Sequence, residues 1–105
     1  MDVEQVEENL ETAVTLLKAL SNEKRLMIMC ALYKGELSVG KLEEIIGLSQ
    51  SALSQHLARL RRDGLVNTRR VAQTIYYSLK NKEVEAILHT LHDLYCEETS
   101  GVSGQ

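Results

Sequence analysis

The chain has no tryptophan, no phenylalanine and no proline in its 105 residues. Without proline nothing forces a helix to break, and a core of Leu, Ile, Val, Ala and Met suits a mostly helical domain. No apolar run approaches the length of a membrane span, and the acidic N-terminus lacks the basic-then-apolar plan of a secretory signal. Its glycines are scattered, so no phosphate-cradling loop is present. No Ser/His/acid grouping can be read either; Ser51 and Ser54 near His56 are the accident of a polar helix. Neither an enzyme, a cofactor, a metal site nor a membrane partner is expected. Two cysteines, Cys30 and Cys96, are too few for a disulfide scaffold. In the cytoplasm, where such a chain is expected to work, they are reduced or redox-active and not a permanent staple.

Hydrophobic residues make up 44% of the chain, enough for one modest core in a single domain. The net charge of −3 argues at first against a nucleic-acid partner. Its distribution reverses that impression. Asp2, Glu4, Glu7, Glu8 and Glu11 crowd the first eleven residues with no base among them. Between residues 50 and 82, Arg59, Arg61, Arg62, Arg69, Arg70, Lys80 and Lys82 face Asp63 alone. Phosphate neutralisation needs a basic face, not a basic protein.

Apolar residues at Val3, Val6, Leu10, Ala13, Leu17 and Leu20 predict an amphipathic first helix. Ser21 or Asn22 caps a second helix with Leu26, Met29, Cys30 and Tyr33 on its inner stripe, ended by Gly35. A third helix-compatible segment, Leu37–Ile46, carries a cap at Ser38 and stops at Gly47. The fourth helix starts at Ser49 or Gln50 and stops at Gly64. Leu65–Arg69 and Thr74–Ser78 then change period and read as two strands around a polar tip, Arg70–Gln73. That tip has no Asn-Gly or Gly-Gly signal, so its turn is open. Val84, Ile87, Leu88, Leu91, Leu94 and Tyr95 make a closing helix, and 97–105 is a polar tail expected to fray.

The segment GLSQSALSQHLARLRR, residues 47–62, carries most of the function. At helical spacing it turns Ala52, Leu53, Leu57 and Leu60 inward and Gln50, Ser51, Ser54, Gln55 and Arg59 outward. An ordinary solvent face is dressed in Glu and Lys, whereas Ser and Gln reach base edges and phosphates well. This is the pattern of a helix-turn-helix whose second helix enters a major groove, and a hairpin directly after it is a wing. The expected fold is therefore mainly α with a small β-hairpin: four helices, a two-stranded wing and a final helix over residues 1–96. Gln50, Ser51, Ser54 and Gln55 are the candidate base readers, with Ser49, His56 and Arg59 shared between bases and phosphates. Arg69, Arg70, Gln73 and Thr74 are the wing candidates for the adjacent backbone or minor groove. For His56 a packing role stands equally open. Broad apolar stripes on the first and last helices exceed what one small core buries, so a homodimer pairing through them is expected.

Three strings, ALSNEKRLMIMCAL, ELSVGKLEEIIGLSQSALSQHLARLRRDGLV and TRRVAQTIYYSL, resemble the ArsR/SmtB family of bacterial winged-helix repressors over roughly residues 10–96. The resemblance implies a homodimer that occupies double-stranded operator DNA and releases it on a chemical signal. The family's arsenic-type Cys-Val-Cys would fall at Ser38-Val39-Gly40, where both thiols are missing. Its zinc-type site in the last helix finds Asn81-Lys82-Glu83 at the start, and His89 and His92 fall short of the later positions. Cys30 and Cys96 instead match a dithiol subgroup that senses reactive sulfur species or oxidants by bridging such a pair. A buried, inert Cys30 and a chance Cys96 are the bland alternative, and the helix end and Glu97-Glu98 beside Cys96 would raise a thiol pKa. A winged-helix adaptor that binds protein instead of DNA is the rival class, and it has no use for the arginines around the Ser/Gln face.

Overall fold

Helices begin where the sequence supplies a capping side chain. In the computed structural model, which describes residues 2–96, Asp2 accepts from the Glu4 amide ahead of α1 (Val3–Glu8). α2 (Leu10–Leu20) follows after Asn9. Asn22 accepts from Arg25 at the start of α3 (Glu23–Tyr33), and Ser38 from Lys41 at the start of α4 (Val39–Ile46). Ser49 accepts from Ala52 ahead of α5 (Gln50–Arg62), and Asn81 from Val84 ahead of α6 (Lys82–Tyr95). Each bond satisfies an amide that the first turn leaves without a helical partner.

Two strands, β2 (Val66–Val71) and β3 (Thr74–Leu79), form the antiparallel wing, paired from Val66↔Leu79 to Val71↔Thr74. That register leaves only Ala72 and Gln73 in the turn, so the strands run further toward the tip than the Arg70–Gln73 turn read from the sequence. Ala72 meets the demand for a positive φ, at 55°, without being glycine. A third strand, β1 (Leu37–Ser38), lies on the other side of β3 through Leu37↔Tyr77 and Ser38↔Tyr76. Ser38 caps α4 as expected, but Leu37, expected at the head of that helix, lies in this strand together with the cap. Two residues are too few for a strand period to register, and only β3, some forty residues later, gives them hydrogen-bond partners.

The single first helix expected from the Val3–Leu20 stripe is broken at Asn9. Glu4, Glu7, Glu8 and Glu11 stand three and four residues apart, where like charges share one helical face and repel. Asn is a weak helix former, and its side-chain amide here donates to the Gln5 carbonyl at 3.5 Å.

The core gathers around α3, which packs against α2, α4, α5, α6 and β3. Ile28, Met29 and Leu32 are its buried residues. They meet Leu42 and Ile46 of α4, Leu53, Leu57 and Leu60 of α5, Val84 and Leu88 of α6, and Tyr77 of β3 in one cluster. Of the inner stripe expected for this helix, Met29 is buried and Leu26 and Tyr33 pack against the core, whereas Cys30 departs from it. A helix enclosed from several sides buries a wider arc, centred here on Ile28, Met29 and Leu32, while Cys30 is exposed. Of the two wing tyrosines Tyr77 is core and Tyr76 half-buried, as alternation in a strand requires.

Leu53 is fully enclosed and ties the outward-facing α5 to this core. Leu53→Ala should lower unfolding free energy by about 2–5 kcal/mol in urea denaturation; a loss under about 1 kcal/mol would contradict this packing.

Candidate nucleic-acid interface

The turn between α4 and α5 is set by Gly47, whose φ of 77° lets its amide bond back to the Glu43 carbonyl. Leu42, Ile46, Leu53 and Leu57 are buried to either side of the turn, so both helices are anchored by their apolar faces. What remains outside on α5 is Gln50, Ser51, Ser54 and Gln55, all exposed. Ser49 is exposed too, with its hydroxyl engaged in the cap at 3.2 Å from the Ala52 amide.

Between α5 and the wing lies an open concavity of about 900 Å³. Gln50 and Ser54 line one wall, Gln73 and Thr74 the other, with Ser38, Val39 and Gly40 at the head of α4. Arg61 and Arg62 line it as well. The sequence reading used these two arginines only as background charge. Their signal was nonetheless present: each stands seven residues, about two helical turns, beyond Ser54 and Gln55, and so continues the same face.

The remaining candidates divide. His56 is half-buried, and its imidazole is held below the usual histidine range first by desolvation and then by the Arg25 charge. Arg59 turns to Asp63, with Nε donating to Oδ2 at 3.1 Å. Arg25 shares this cluster and also donates to the Ala19 and Lys18 carbonyls, closing the C-terminal end of α2. His56 and Arg59 therefore sit on an ionic seam toward α3, apart from the Ser/Gln face. On the wing, Arg70 is exposed and has no ion-pair partner among the described residues. Arg69 pairs with Glu36 at 2.7 and 2.9 Å, a contact between residues thirty-three apart that the sequence reading missed.

α3 carries Cys30, and Cys96 caps the C-terminal end of α6; both thiols are free and exposed. Desolvation pushes the Cys30 thiol above the ordinary cysteine range, and the nearby Cys96 adds to the shift. One turn on from Cys30, the Tyr33 hydroxyl lies 2.6 Å from Nδ1 of His89, whose Nε2 is 3.3 Å from Asp93. Tyr33 also lies about 6.1 Å from the His92 ring. Among the described residues no three His, Cys, Asp or Glu side chains gather as metal ligands would. No helix among them is long and apolar enough to cross a membrane.

This geometry has close counterparts in known proteins. The pattern described as "Bacterial regulatory protein, arsR family" matches residues 22–68, from the α3 cap through the first half of the wing. The transcriptional activator HlyU of Vibrio cholerae is 58% identical over 97 residues, covering 92% of this chain and 90% of that protein. The chain belongs to the arsR family. It is a winged-helix DNA-binding transcriptional regulator and not an enzyme. The structure of reduced HlyU from V. cholerae superposes with a TM-score of 0.85 at 58% identity, covering 90% of this chain and 99% of that one. The repressor BigR from Xylella fastidiosa gives 0.85 at 40% identity, covering 93% and 100%. A homodimeric winged helix-turn-helix domain from Mycobacterium bovis, described as a possible ArsR-family regulator, gives 0.74 at 25% identity, covering 90% and 93%.

Proposed function

We propose that this ArsR-family regulator works as a cytoplasmic homodimer that reads an operator through α5 and lets go of it when Cys30 and Cys96 become joined. The single observation that carries the reading is an exposed Ser/Gln face on α5 together with two exposed thiols close enough for the Cys96 charge to act on Cys30, both resting on α3 and the helices packed against it.

A second copy has an obvious seat. Val3, Leu10, Val14 and Leu17 on α1 and α2, with Leu94 and Tyr95 on α6, are all more than a third exposed in the single chain. A groove of about 900 Å³ runs between α2 and α6, from Thr12 and Leu16 to Val84 and Ile87. The radius of gyration of 15.2 Å exceeds the roughly 13 Å of a close-packed domain this size. The homodimeric neighbour from M. bovis supports the same arrangement. Sedimentation at micromolar concentration should find a dimer; a monomer there would end this part of the proposal.

In the dimer, two α5 helices address successive major-groove faces of a near-palindrome, one or two helical turns of about 34 Å apart. Gln50, Ser51, Ser54 and Gln55 read bases. Arg61, Arg62, Arg70, Gln73 and Thr74 hold the phosphates that border the concavity. Ser49 contributes through the start of α5, while His56 and Arg59 steady that helix from its inner flank. Gln55→Ala should cost about 1–3 kcal/mol on the preferred operator and relax its sequence preference. Arg61→Ala should weaken all duplexes alike and flatten the salt dependence. Equal losses on operator and scrambled DNA for both variants would show that this face does not read sequence.

Oxidation of the two thiols gives up two protons and two electrons to the oxidant and leaves a bridge; a persulfide donor can leave an additional sulfur within it. A direct bridge needs Cα atoms roughly 4.4–6.8 Å apart, and inserted sulfur tolerates more. The bridge clamps α6, half of the dimer seat, to α3, the spine on which α5 is mounted. A coupling of about 1–3 kcal/mol suffices for a 5–150-fold fall in operator affinity. Cys30→Ser and Cys96→Ser should each bind operator as well as the reduced protein and no longer release it on treatment with a persulfide donor, whose sulfane sulfur accepts the two electrons. Mass spectrometry should find the two cysteines joined within one chain of the treated wild type. Release by both serine variants would mean that the signal enters elsewhere, the cysteines being structural.

A further inference from the structure

The ion pair on the wing has a shape and a place that set it apart from the other surface pairs. Arg69 donates from Nε and from its terminal nitrogen to both carboxylate oxygens of Glu36, at 2.9 and 2.7 Å. Its guanidinium carbon also lies 4.9 Å from the centre of the Tyr76 ring. Tyr76 is the residue opposite Arg69 in the β2–β3 ladder, and opposite Ser38 in the β1–β3 ladder. Glu36 therefore reaches across the whole sheet, over the tyrosine, to the far strand. Fork-to-fork geometry and stacking make such a pair firmer than an ordinary exposed contact. In agreement, Arg69 holds the Glu36 carboxyl below the usual carboxylate range.

Strand alternation separates Arg69 from its neighbour. Ile75 and Tyr77 line the concavity beside α5, and Tyr76 does not. Arg70 pairs with Ile75 and shares its face, while Arg69 pairs with Tyr76 and shares the other. Two consecutive arginines at the tip of a DNA-binding wing thus have opposite fates. Arg70 keeps a free charge on the concave side, and Arg69 is neutralised on the reverse side.

We propose that Glu36 limits the general DNA affinity of the wing: it holds Arg69 away from DNA phosphates, so that the wing offers one unspent arginine instead of two. Phosphate contacts strengthen binding to every sequence equally and carry no base information. An added contact raises affinity for bulk DNA without adding discrimination. Glu36 also spans from the wing to the residues just before α4, so the same bond keeps the wing at a fixed angle to the reading unit. This inference rests on the reading of α5 and the wing as the DNA face.

The test uses the full-length reduced protein and two duplexes of equal length: one selected by the wild type from a random pool, and a scrambled control. Affinities are followed by fluorescence anisotropy between 50 and 200 mM KCl. Glu36→Gln keeps the side-chain shape and removes the charge. It should steepen the slope of log affinity against log salt by about 0.9 on both duplexes, so that the fourfold rise in salt costs it about 3.5-fold more affinity than the wild type. Its affinity should rise on both duplexes at low salt, with the ratio of operator to scrambled affinity unchanged, because a phosphate contact serves both alike. Arg69→Gln should keep the wild-type slope, and the double variant should return to it. Matching thermal unfolding curves would confirm that all variants are folded. An unchanged slope for Glu36→Gln, or a slope flattened by about one for Arg69→Gln, would overturn the proposal, the latter by showing Arg69 already on a phosphate. A wild type without salt-dependent duplex binding would overturn the assignment of the DNA face itself, and this inference with it.

Discussion

The enclosure of α3 is the constraint from which the rest follows. Among the described residues, α3, with Ile28, Met29 and Leu32 buried, packs against α2, α4, α5, α6 and the wing strand β3. Burial of side chains of this size contributes about 1.5–3 kcal/mol each, and no other element touches so many partners. The consequence is architectural. α5 and α6, which Cys96 caps, both pack on this spine, and Cys30 stands exposed on it. A chemical event between α3 and α6 acts on the same bar that supports α5.

Much of this was legible in the residues. Capping side chains at Asn22, Ser38 and Ser49, leucines at helical spacing in α5 and the β-branched run in β3 are local signals, and each helix or strand they announce is present. The misses share one physical cause. The β1 strand exists only because β3 pairs with it, the buried arc of α3 widens because five elements surround it, and the Arg69–Glu36 bond joins distant segments. None of these leaves a periodic trace. The break at Asn9 is a different case. Its cause, four glutamates at repelling spacings around an asparagine, was in plain view and was outweighed by an uninterrupted apolar stripe. The polar tail expected over 97–105 lies outside the described residues.

The candidate site shows the same division. Exposure of Gln50, Ser51, Ser54 and Gln55 follows from helical periodicity and needed no structure. Which arginines stay available is a matter of who their neighbours are. Arg59 and Arg69 are drawn into acid pairs, whereas Arg61 and Arg62 line the concavity. Composition counts all of them alike, and only the fold ranks them.

Gln50, Ser51, Ser54 and Gln55 on the outer face of α5 are exposed and lie outside the core, which the helix joins through Leu53, Leu57 and Leu60. Substitutions on such a surface usually shift stability by no more than about 0.5 kcal/mol. The four polar positions can therefore be rewritten with little penalty to folding. On the proposed reading, folding and address are then stored in separate letters of the same helix, and one is free to drift while the other is kept.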